Sequence, residues 1–194
     1  MLRNSNADDR SRDAAAKIHE ETRGLTRMIT NLLDIGRADE GQLAPARRMI
    51  DAHELVAAVL EELRPRAAAA ELELRARVEA GNLFVDRDLI QRVLVNLVEN
   101  AIRHAPTGSA IEVVVQSAAD AVELRVADAG PGVPPELREQ IFERFVTKGE
   151  GSTRTNRGLG LAFCKVAVEA HGGQIAIEDG VPGAIFCLRI PHAQ

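Results

Sequence analysis

Apolar side chains recur at helical spacing through the first forty residues of the chain. Between residues 11 and 40 there is no proline, and the two glycines are Gly24 and Gly36. The apolar positions follow at intervals of seven, three, four and three residues: Ile18, Leu25, Met28, Leu32 and Ile35. These intervals are typical of the a/d seam of a helix in a coiled coil or a bundle. A helix about 45 Å long favours pairing with a second copy or with a helix outside this chain, and packing on its own domain is the alternative.

Beyond residue 45 the pattern alternates between helical and strand periods. Residues 41–45 interrupt the first helix and are interpreted as a linker, with the domain boundary between residues 44 and 45. Helical spacing predicts three helices, which begin at Asp51 or His53, span 86–105 and span 158–171. Alternating spacing predicts five strands, at 72–79, 110–117, 121–128, 173–179 and 184–191. This order predicts an α+β protein, a two-layer sandwich with three helices on one face of a mixed sheet, preceded by the long N-terminal helix.

Composition and charge narrow the class of protein. Apolar residues make up 45% and charged residues 27% of the 194 residues, as in ordinary globular proteins. A net charge of −5 without a run of Lys and Arg argues against a nucleic-acid partner. Cys164 and Cys187 lie in apolar stretches, which favours buried free thiols in a reducing compartment. The sequence has no apolar run of membrane-spanning length, and we expect no signal peptide in the polar segment at residues 1–13. We therefore expect a cytoplasmic protein, or the cytosolic part of a larger one, with no membrane contact by this chain.

Polar residues interrupt the apolar helix predicted at 86–105. Asn96 and Asn100 are four residues apart and therefore point to one side, together with Arg103 and, nearby, His104. Asparagine is a mediocre helix former and is costly to bury without a partner. One interpretation is that these amides cap neighbouring loops. The other is that an amide oxygen helps to hold Mg²⁺, which prefers hard oxygen ligands.

Two glycine-rich segments follow. In DAGPGVP (128–134), Asp128 ends a strand and is either part of a tight turn or an acceptor for a ligand amine. In KGEGSTRTNRGLGLAFCK (148–165), cations precede a predicted helix that starts at Gly158-Leu159-Gly160, which favours an anion site. A dinucleotide-binding G-x-G-x-x-G would need glycine in place of Phe163, and the chain contains no G-x-x-x-x-G-K-[ST] loop.

The order of these motifs, with IFERF (141–145) between the second and the third, resembles the catalytic, ATP-binding domain of sensor histidine kinases. That family belongs to the GHKL superfamily, shared with gyrase, heat-shock chaperone and mismatch-repair ATPases. The resemblance covers residues 45–194. Residues 25–43 are similar to the second helix of the family's dimerisation bundle, so that residues 1–44 would be a partial dimerisation segment.

The resemblance implies a site for ATP and Mg²⁺. It makes Asn100 the metal ligand with Asn96 in the same shell, places His104 against the adenine and lets Asp128 accept from the adenine amino group. The implied lid is 134–157, from which Arg144 or Lys148 would reach the γ-phosphate. The other implied nucleotide contacts are Arg103, Gly130, Gly132, Val133, Arg157, Gly158, Leu159, Gly160 and Leu161.

The same resemblance indicates whether the chain transfers the phosphoryl group of ATP or hydrolyses ATP. Where Asn96 stands, the ATP-hydrolysing branches usually carry a glutamate that activates water, and an amide cannot take that proton. We therefore expect transfer to a histidine of the dimerisation bundle in a homodimer, and from there to a response regulator. The family's acceptor motif, H-E-x-x-x-P, is not matched by His19-Glu20, because Gly24 stands at the proline position. The alternative function is a non-catalytic ATP-binding module that docks a regulator or another kinase.

Overall fold

The computed structural model describes residues 2–145 and 158–192, and in its first helix the side chains of Ile18 and of Thr22 onward. The helices are α1 (Leu2–Asp39), α2 (Ala52–Ala69), α3 (Arg87–His104) and α4 (Gly160–Ala170), with 3₁₀ turns at Pro135–Leu137 and Gln140–Phe142. The strands are β1 (Arg48–Asp51), β2 (Glu73–Val78), β3 (Asn82–Val85), β4 (Ala110–Ser117), β5 (Ala121–Ala127), β6 (Gln174–Asp179) and β7 (Ala184–Pro191).

The main sheet has five strands in the order β2-β4-β5-β7-β6. Strands β2 and β4 are parallel and the other pairs are antiparallel, so the sheet is mixed. Alternate residues of β4, Ile111, Val113 and Val115, are fully buried, as the two-residue period of a strand requires when one face is covered. Helices α2, α3 and α4 cover that face. The predicted two-layer α+β sandwich with three helices and a long N-terminal helix is confirmed.

Strands β1 and β3 form a small antiparallel sheet that the sequence analysis did not predict. Each has four residues, too few for an alternating pattern to stand out from chance. Leu83 and Val85 are buried, whereas Met49 and Phe84, which are paired across the two strands, are exposed. The small sheet extends the core because its inward side chains join it.

The apolar seam of α1 is divided between two sides of the helix. Ile35 is fully buried and Met28 packs against the core, mainly through the contact of α1 with α4. Leu25, Leu32 and Ile18 are exposed. The prediction that the seam is covered from outside the chain is therefore wrong for Met28 and Ile35, which lie on the chain's own domain. Among the described helices, none combines the length and the apolar character needed to cross a membrane.

Asp86 and His171 connect three parts of the fold. Asp86 caps α3, since its Oδ1 accepts from the backbone of the first turn, and its Oδ2 accepts from Ala46 N–H at 2.9 Å. Asp86 N–H donates to His171 Nε2 at 3.0 Å. His171 Nδ1 lies 2.7 Å from the Ala167 carbonyl and donates to it. The neutral imidazole thus joins the start of α3 to the end of α4, and Asp86 fixes the segment that follows α1.

The His171 contact predicts a loss of stability in acid. Burial lowers the pKa of His171, with a smaller contribution from Arg47, while Ala167 and Asp86 act to raise it. An ordinary histidine in the unfolded chain titrates near about pH 6.5, so the unfolded state binds more protons below that pH. The contribution is therefore complete above about pH 6.5 and is lost as the pH falls toward the lower pKa of the folded state. Chemical denaturation at several pH values should show a free energy of unfolding that falls as the pH is lowered below about 6.5.

In His171→Gln, an amide oxygen replaces Nε2 as acceptor and no group titrates. We expect a cost of about 1 kcal/mol at neutral pH and a shallower dependence on pH. His53→Gln, which removes an exposed histidine of α2, should keep the wild-type slope. A wild-type slope in His171→Gln would assign the pH dependence to another group, such as His104, whose pKa is also lowered.

Candidate functional site

The two asparagines of α3 lie on its open side. Eight other residues of α3 are buried in the core, whereas Asn96 and Asn100 are half-buried. Within the part of the chain that the structure describes, neither side-chain amide forms a hydrogen bond with another protein group. The interpretation that they cap neighbouring loops therefore has no support. Both amides are available to a ligand.

The register of α3 against α4 places a helix N-terminus beside these amides. Cys164 Sγ lies 3.7 Å from the Val93 carbonyl, and His171 at the end of α4 contacts Asp86 at the start of α3. The two helices are therefore antiparallel. Gly160, the first residue of α4, is four residues before Cys164, which places it level with Leu97 and next to Asn96.

The residues that lead into α4 suit an anion. Gly158 has φ +67°, and Leu159 is buried and provides no side-chain cap. Backbone N–H groups in the first turn of a helix without a side-chain cap are suited to bind negative charge. Gly160 and Leu161 belong to that first turn, and Gly158 and Leu159 lead directly into it.

Asp128 lies at the end of β5 and is buried. Its Oδ1 accepts from Gly130 N–H at 2.8 Å. Burial raises the pKa of Asp128, and the hydrogen bonds from Gly130 and Ala184 act in the opposite direction. A carboxylate that keeps unused oxygen lone pairs can also accept from a ligand N–H.

Gly130 brings the Asp128 loop against the end of α3. A Cβ at position 130 would lie 2.8 Å from Asp128 Oδ1 and 2.9 Å from the His104 carbonyl oxygen. Glycine is thus required for this close approach. Partial burial and the charge of Arg103 lower the pKa of His104, which keeps its imidazole neutral. His104 and Asp128 therefore lie close together at one end of the sandwich.

The turn between β6 and β7 supports this loop, and the sequence analysis missed it. Gly183 has φ +103°, and a Cβ there would lie 1.8 Å from the Asp128 carbonyl oxygen. Its own carbonyl would meet a Cβ at Gly132, φ +73°, at 3.1 Å. Asp128 N–H donates to the Ala184 carbonyl at 3.0 Å. The signal in the sequence was the G-V-P-G turn at 180–183, which separates two strands and carries no reactive side chain.

The described part of the expected lid is tied down at both ends. Val133 packs against the core, and Arg138 Nε donates to its carbonyl at 3.1 Å. Phe145 N–H donates to the Gly158 carbonyl at 3.2 Å. Lys148 and Arg157 lie outside the described residues.

Arg144 and Arg103 are placed differently from each other. Arg144 forms an ion pair with Asp39 at the end of α1, which directs it toward that helix. Arg103 is exposed at the end of α3, beside Asn100. One turn earlier, Glu99 binds Arg27 and Arg66. Two cations therefore surround the single carboxylate of Glu99, one turn before Arg103.

A metal at this site would depend on neutral oxygen donors. Within the described ranges, no group of three or more His, Cys, Asp or Glu side chains could hold a metal ion. The amide oxygens of Asn96 and Asn100, completed by phosphate oxygens of a ligand, form the hard donor set that Mg²⁺ prefers. The residues present therefore fit Mg²⁺ that arrives with a nucleotide.

A cavity of about 150 Å³ lies elsewhere, below the small sheet. Its lining includes Met49, Phe84, Val122, Ile190 and His192. It is smaller than the roughly 300–1,000 Å³ of ordinary ligand pockets, and mainly apolar side chains surround it. We assign it no chemistry.

Comparison with known proteins agrees with this geometry. Residues 85–194, more than half of the chain, match the family model described as histidine kinase-, DNA gyrase B-, and HSP90-like ATPase. The sensor protein KdpD of Clostridium acetobutylicum is 33% identical over 187 residues, which cover 95% of this chain and 21% of that protein. The chain thus spans about a fifth of the length of this relative.

Solved structures show the same fold. Full-length ShkA in complex with AMPPNP has a TM-score of 0.77 and 26% identity, over 96% of this chain and 39% of that chain. Histidine kinase ThkA in complex with the response regulator protein TrrA has a TM-score of 0.69 and 26% identity, over 89% of this chain and 49% of that chain.

The close approach of Gly183 to the Asp128 loop can be tested by substitution. In Gly183→Ala, the new Cβ would overlap the Asp128 carbonyl, and we expect a loss of about 2 kcal/mol or more in the free energy of unfolding. Gly108→Ala is the matched control, because Gly108 has φ +81° but open space around it. Chemical denaturation should show the smaller loss there, of about 1 kcal/mol from backbone strain. Equal losses would contradict the close contact.

Proposed function

Because this chain belongs to the family of histidine kinase-, DNA gyrase B- and HSP90-like ATPases, we propose that residues 45–194 bind ATP with Mg²⁺ and transfer its γ-phosphoryl group to a histidine. Residues 1–44 would then be the second helix of a dimerisation bundle. The observation that carries the proposal is that Asn96 and Asn100, the Asp128 loop and the start of α4 lie at one end of the sandwich.

The Asp128 loop is proposed to recognise adenine. The carboxylate of Asp128 accepts from the exocyclic amino group, and the neutral His104 lies against the ring. Gly130 and Gly132 keep the cleft free of side chains, with Val133 at its edge. Because these contacts are with the base, ATP and ADP should depend on them equally.

The phosphates are proposed to lie between α3 and α4. Asn100 holds Mg²⁺ through its amide oxygen and Asn96 lies in the same shell, while Arg103 neutralises phosphate charge. The backbone of Gly158, Leu159, Gly160 and Leu161 donates to phosphate oxygens, with Arg157 nearby. When bound, Mg²⁺ would offset the charge of the phosphates, which is much of what phosphoryl transfer asks of a protein.

The transfer step is proposed to use a nucleophile from outside residues 45–194. A neutral imidazole nitrogen of the acceptor attacks the γ-phosphorus while the bond to the bridging oxygen breaks, and that oxygen leaves with ADP. Arg144 or Lys148 would stabilise charge on the γ-phosphoryl group. Asn96 has no carboxylate to activate water, which favours transfer over hydrolysis.

The partners follow from this chemistry. A histidine-bearing helix completes the bundle, in a homodimer of the full protein, and a response regulator then receives the phosphoryl group. ThkA, a structural relative, is a histidine kinase in complex with a response regulator protein. A domain that consumes ATP in this way would act in the cytoplasm.

Asp128→Asn tests base recognition. The amide oxygen can still accept from Gly130 N–H. The amide NH₂ takes the place of the carboxylate oxygen that would accept from adenine, so the affinities for ATP and ADP should both fall by about tenfold to a hundredfold. The raised pKa of Asp128 means that the folded state holds its proton more tightly than the unfolded state. Its contribution to stability is thus lost as the pH rises through the folded pKa. At neutral pH the nucleotide-free variant should therefore be as stable as wild type or more stable.

Isothermal calorimetry and chemical denaturation measure these two quantities. Asp120→Asn, which removes an exposed carboxylate paired with Arg189, is the control for charge and should bind nucleotide normally. A loss confined to ATP would contradict the adenine assignment.

γ-Labelled ATP separates the kinase from a non-catalytic ATP-binding module. The chain is incubated with labelled ATP, Mg²⁺ and a separate helical fragment that carries an H-E-x-x-x-P acceptor motif. We expect acid-labile label on the fragment and none in Asn100→Ala, which should also lose magnesium-dependent nucleotide affinity. Bound ATP without any label on the fragment would favour the docking module.

A further inference from the structure

Arg138 binds the loop at 128–133 from the side of strand β6. Its Nε donates to the carbonyl of Val133, the last residue of the loop, at 3.1 Å. Its Nη2 pairs with the carboxylate of Asp179, and its Nη1 lies 3.5 Å from the Ile177 carbonyl oxygen. The side chain is only 22% exposed, whereas most arginine side chains are exposed. One guanidinium therefore ties the end of the loop to β6.

The other end of the loop is held by strand β7. Asp128 N–H donates to the Ala184 carbonyl at 3.0 Å. A Cβ at Gly183, in the turn before β7, would lie 1.8 Å from the Asp128 carbonyl oxygen, so the turn and the loop are in close contact. Strands β6 and β7 are themselves paired. The loop thus has one anchor at each end, and both anchors belong to the same pair of strands.

The backbone of the loop provides little stiffness of its own. Two of its residues are Gly130 and Gly132, and Gly132 has φ +73°. Glycine has the widest choice of backbone conformations, so such a loop loses much freedom when it becomes ordered. The side chain of Val133 packs against the core. The hydrogen bond from Arg138 also fixes the orientation of the Val133 peptide group.

The connection between the loop and Arg138 is short and stiff. Pro134 and Pro135 follow the loop directly, and proline fixes φ. Residues 135–137 form a 3₁₀ turn, and Arg138 N–H donates to the Pro135 carbonyl at 3.3 Å. The position of Arg138 on β6 is therefore transmitted to the end of the loop.

The chemistry of arginine suits this place. Its guanidinium presents five N–H groups in a rigid planar fork, which can serve two carbonyls and a carboxylate at the same time. The Asp179 side chain is 82% exposed, and an ion pair with so exposed a carboxylate contributes little to stability by itself. The contact with the Val133 carbonyl therefore distinguishes Arg138 from an ordinary surface ion pair.

We propose that Arg138 is a positioning residue for nucleotide binding, which holds the loop at 128–133 in the conformation that receives the base before the base arrives. This role rests on the proposed ATP site, in which Asp128 and Gly130 lie against adenine. Arg138 itself touches no part of the nucleotide. It reduces the freedom that the loop must lose on binding, and this raises affinity without a new contact.

Substitution of Arg138 and of its carboxylate partner tests the role. Arg138→Ala removes all three contacts, and the affinities for ADP and ATP should both fall about tenfold, as for one further residue ordered on binding. Asp179→Ala leaves both carbonyl contacts and should lower the affinities about threefold or less. Because the two side chains act as one unit, Arg138→Ala/Asp179→Ala should bind no more weakly than Arg138→Ala. Isothermal calorimetry measures these affinities.

A conservative variant separates the carbonyl contact from the ion pair. Arg138→Lys keeps the charge and can pair with Asp179, but its ammonium lacks the fork that also holds the Val133 carbonyl. Its affinities should fall nearly as far as those of Arg138→Ala. The matched control is Arg189→Ala, which removes another arginine paired with an exposed aspartate, Asp120, toward the other end of β7. It should bind ADP and ATP as the wild type does.

Amide hydrogen exchange without nucleotide distinguishes positioning from a purely structural role. In Arg138→Ala, exchange should become faster at Gly130 and Gly132 and stay unchanged in the β4–β5 hairpin, and saturating ADP should slow it again. The free energy of unfolding should fall no further than in Arg189→Ala. A purely structural role would instead lower the free energy of unfolding and leave the affinities unchanged.

Wild-type affinity in Arg138→Ala or in Arg138→Lys overturns the proposal, as does unchanged exchange in the loop. A loss of affinity for ATP alone also overturns it, because the loop is proposed to hold the base. Failure of the proposed function gives a different result, since the wild-type chain would then bind neither ATP nor ADP. In that case the exchange of Gly130 and Gly132 in Arg138→Ala still decides whether Arg138 holds the loop.

Discussion

The antiparallel contact of α3 with α4 determines where the chemistry can lie. The buried side of α3 fills the space between sheet and helices, and Asp86 and His171 fix the two helices at one end. Because both are rigid over their length, the opposite end of α4 must begin beside Asn96. Core packing therefore brings the amides of Asn96 and Asn100 near the N–H groups of the first turn of α4.

The Asp128 loop has the opposite character, since its geometry works against stability. A buried carboxylate that holds its proton more tightly in the folded state is disfavoured at neutral pH. The loop is maintained because Gly130 and Gly183 allow backbone to approach on both sides of it, and no larger residue fits. A residue such as Asp128, which lowers the stability of the fold at neutral pH, is characteristic of a binding site rather than of core packing.

Sequence patterns predicted the helices and strands in which buried and exposed side chains alternate regularly along the whole element. The β4–β5 hairpin and α3 could be predicted because each carries a strong period and clear ends, such as the capping residue Asp86. The small β1–β3 sheet is too short for a period, and Gly183 acts only through the space it leaves empty. The motifs gave Asn100 and Asp128, yet no pattern within one segment reveals that Arg92 pairs with Asp34 across 58 residues of chain.

The seam of α1 shows why periodicity alone cannot assign a partner. Its a/d positions straddle the boundary between a side that packs on α4 and a side that stays exposed, so one stripe serves two surfaces. The polar residues between the apolar ones decide which surface meets the domain, because Asn31 and Asp34 have buried partners only there. Buried polar contacts contribute little net stability but penalise every register in which they are unpaired. The polar contacts of Asn31 and Asp34 therefore hold helix α1 in one orientation on the domain.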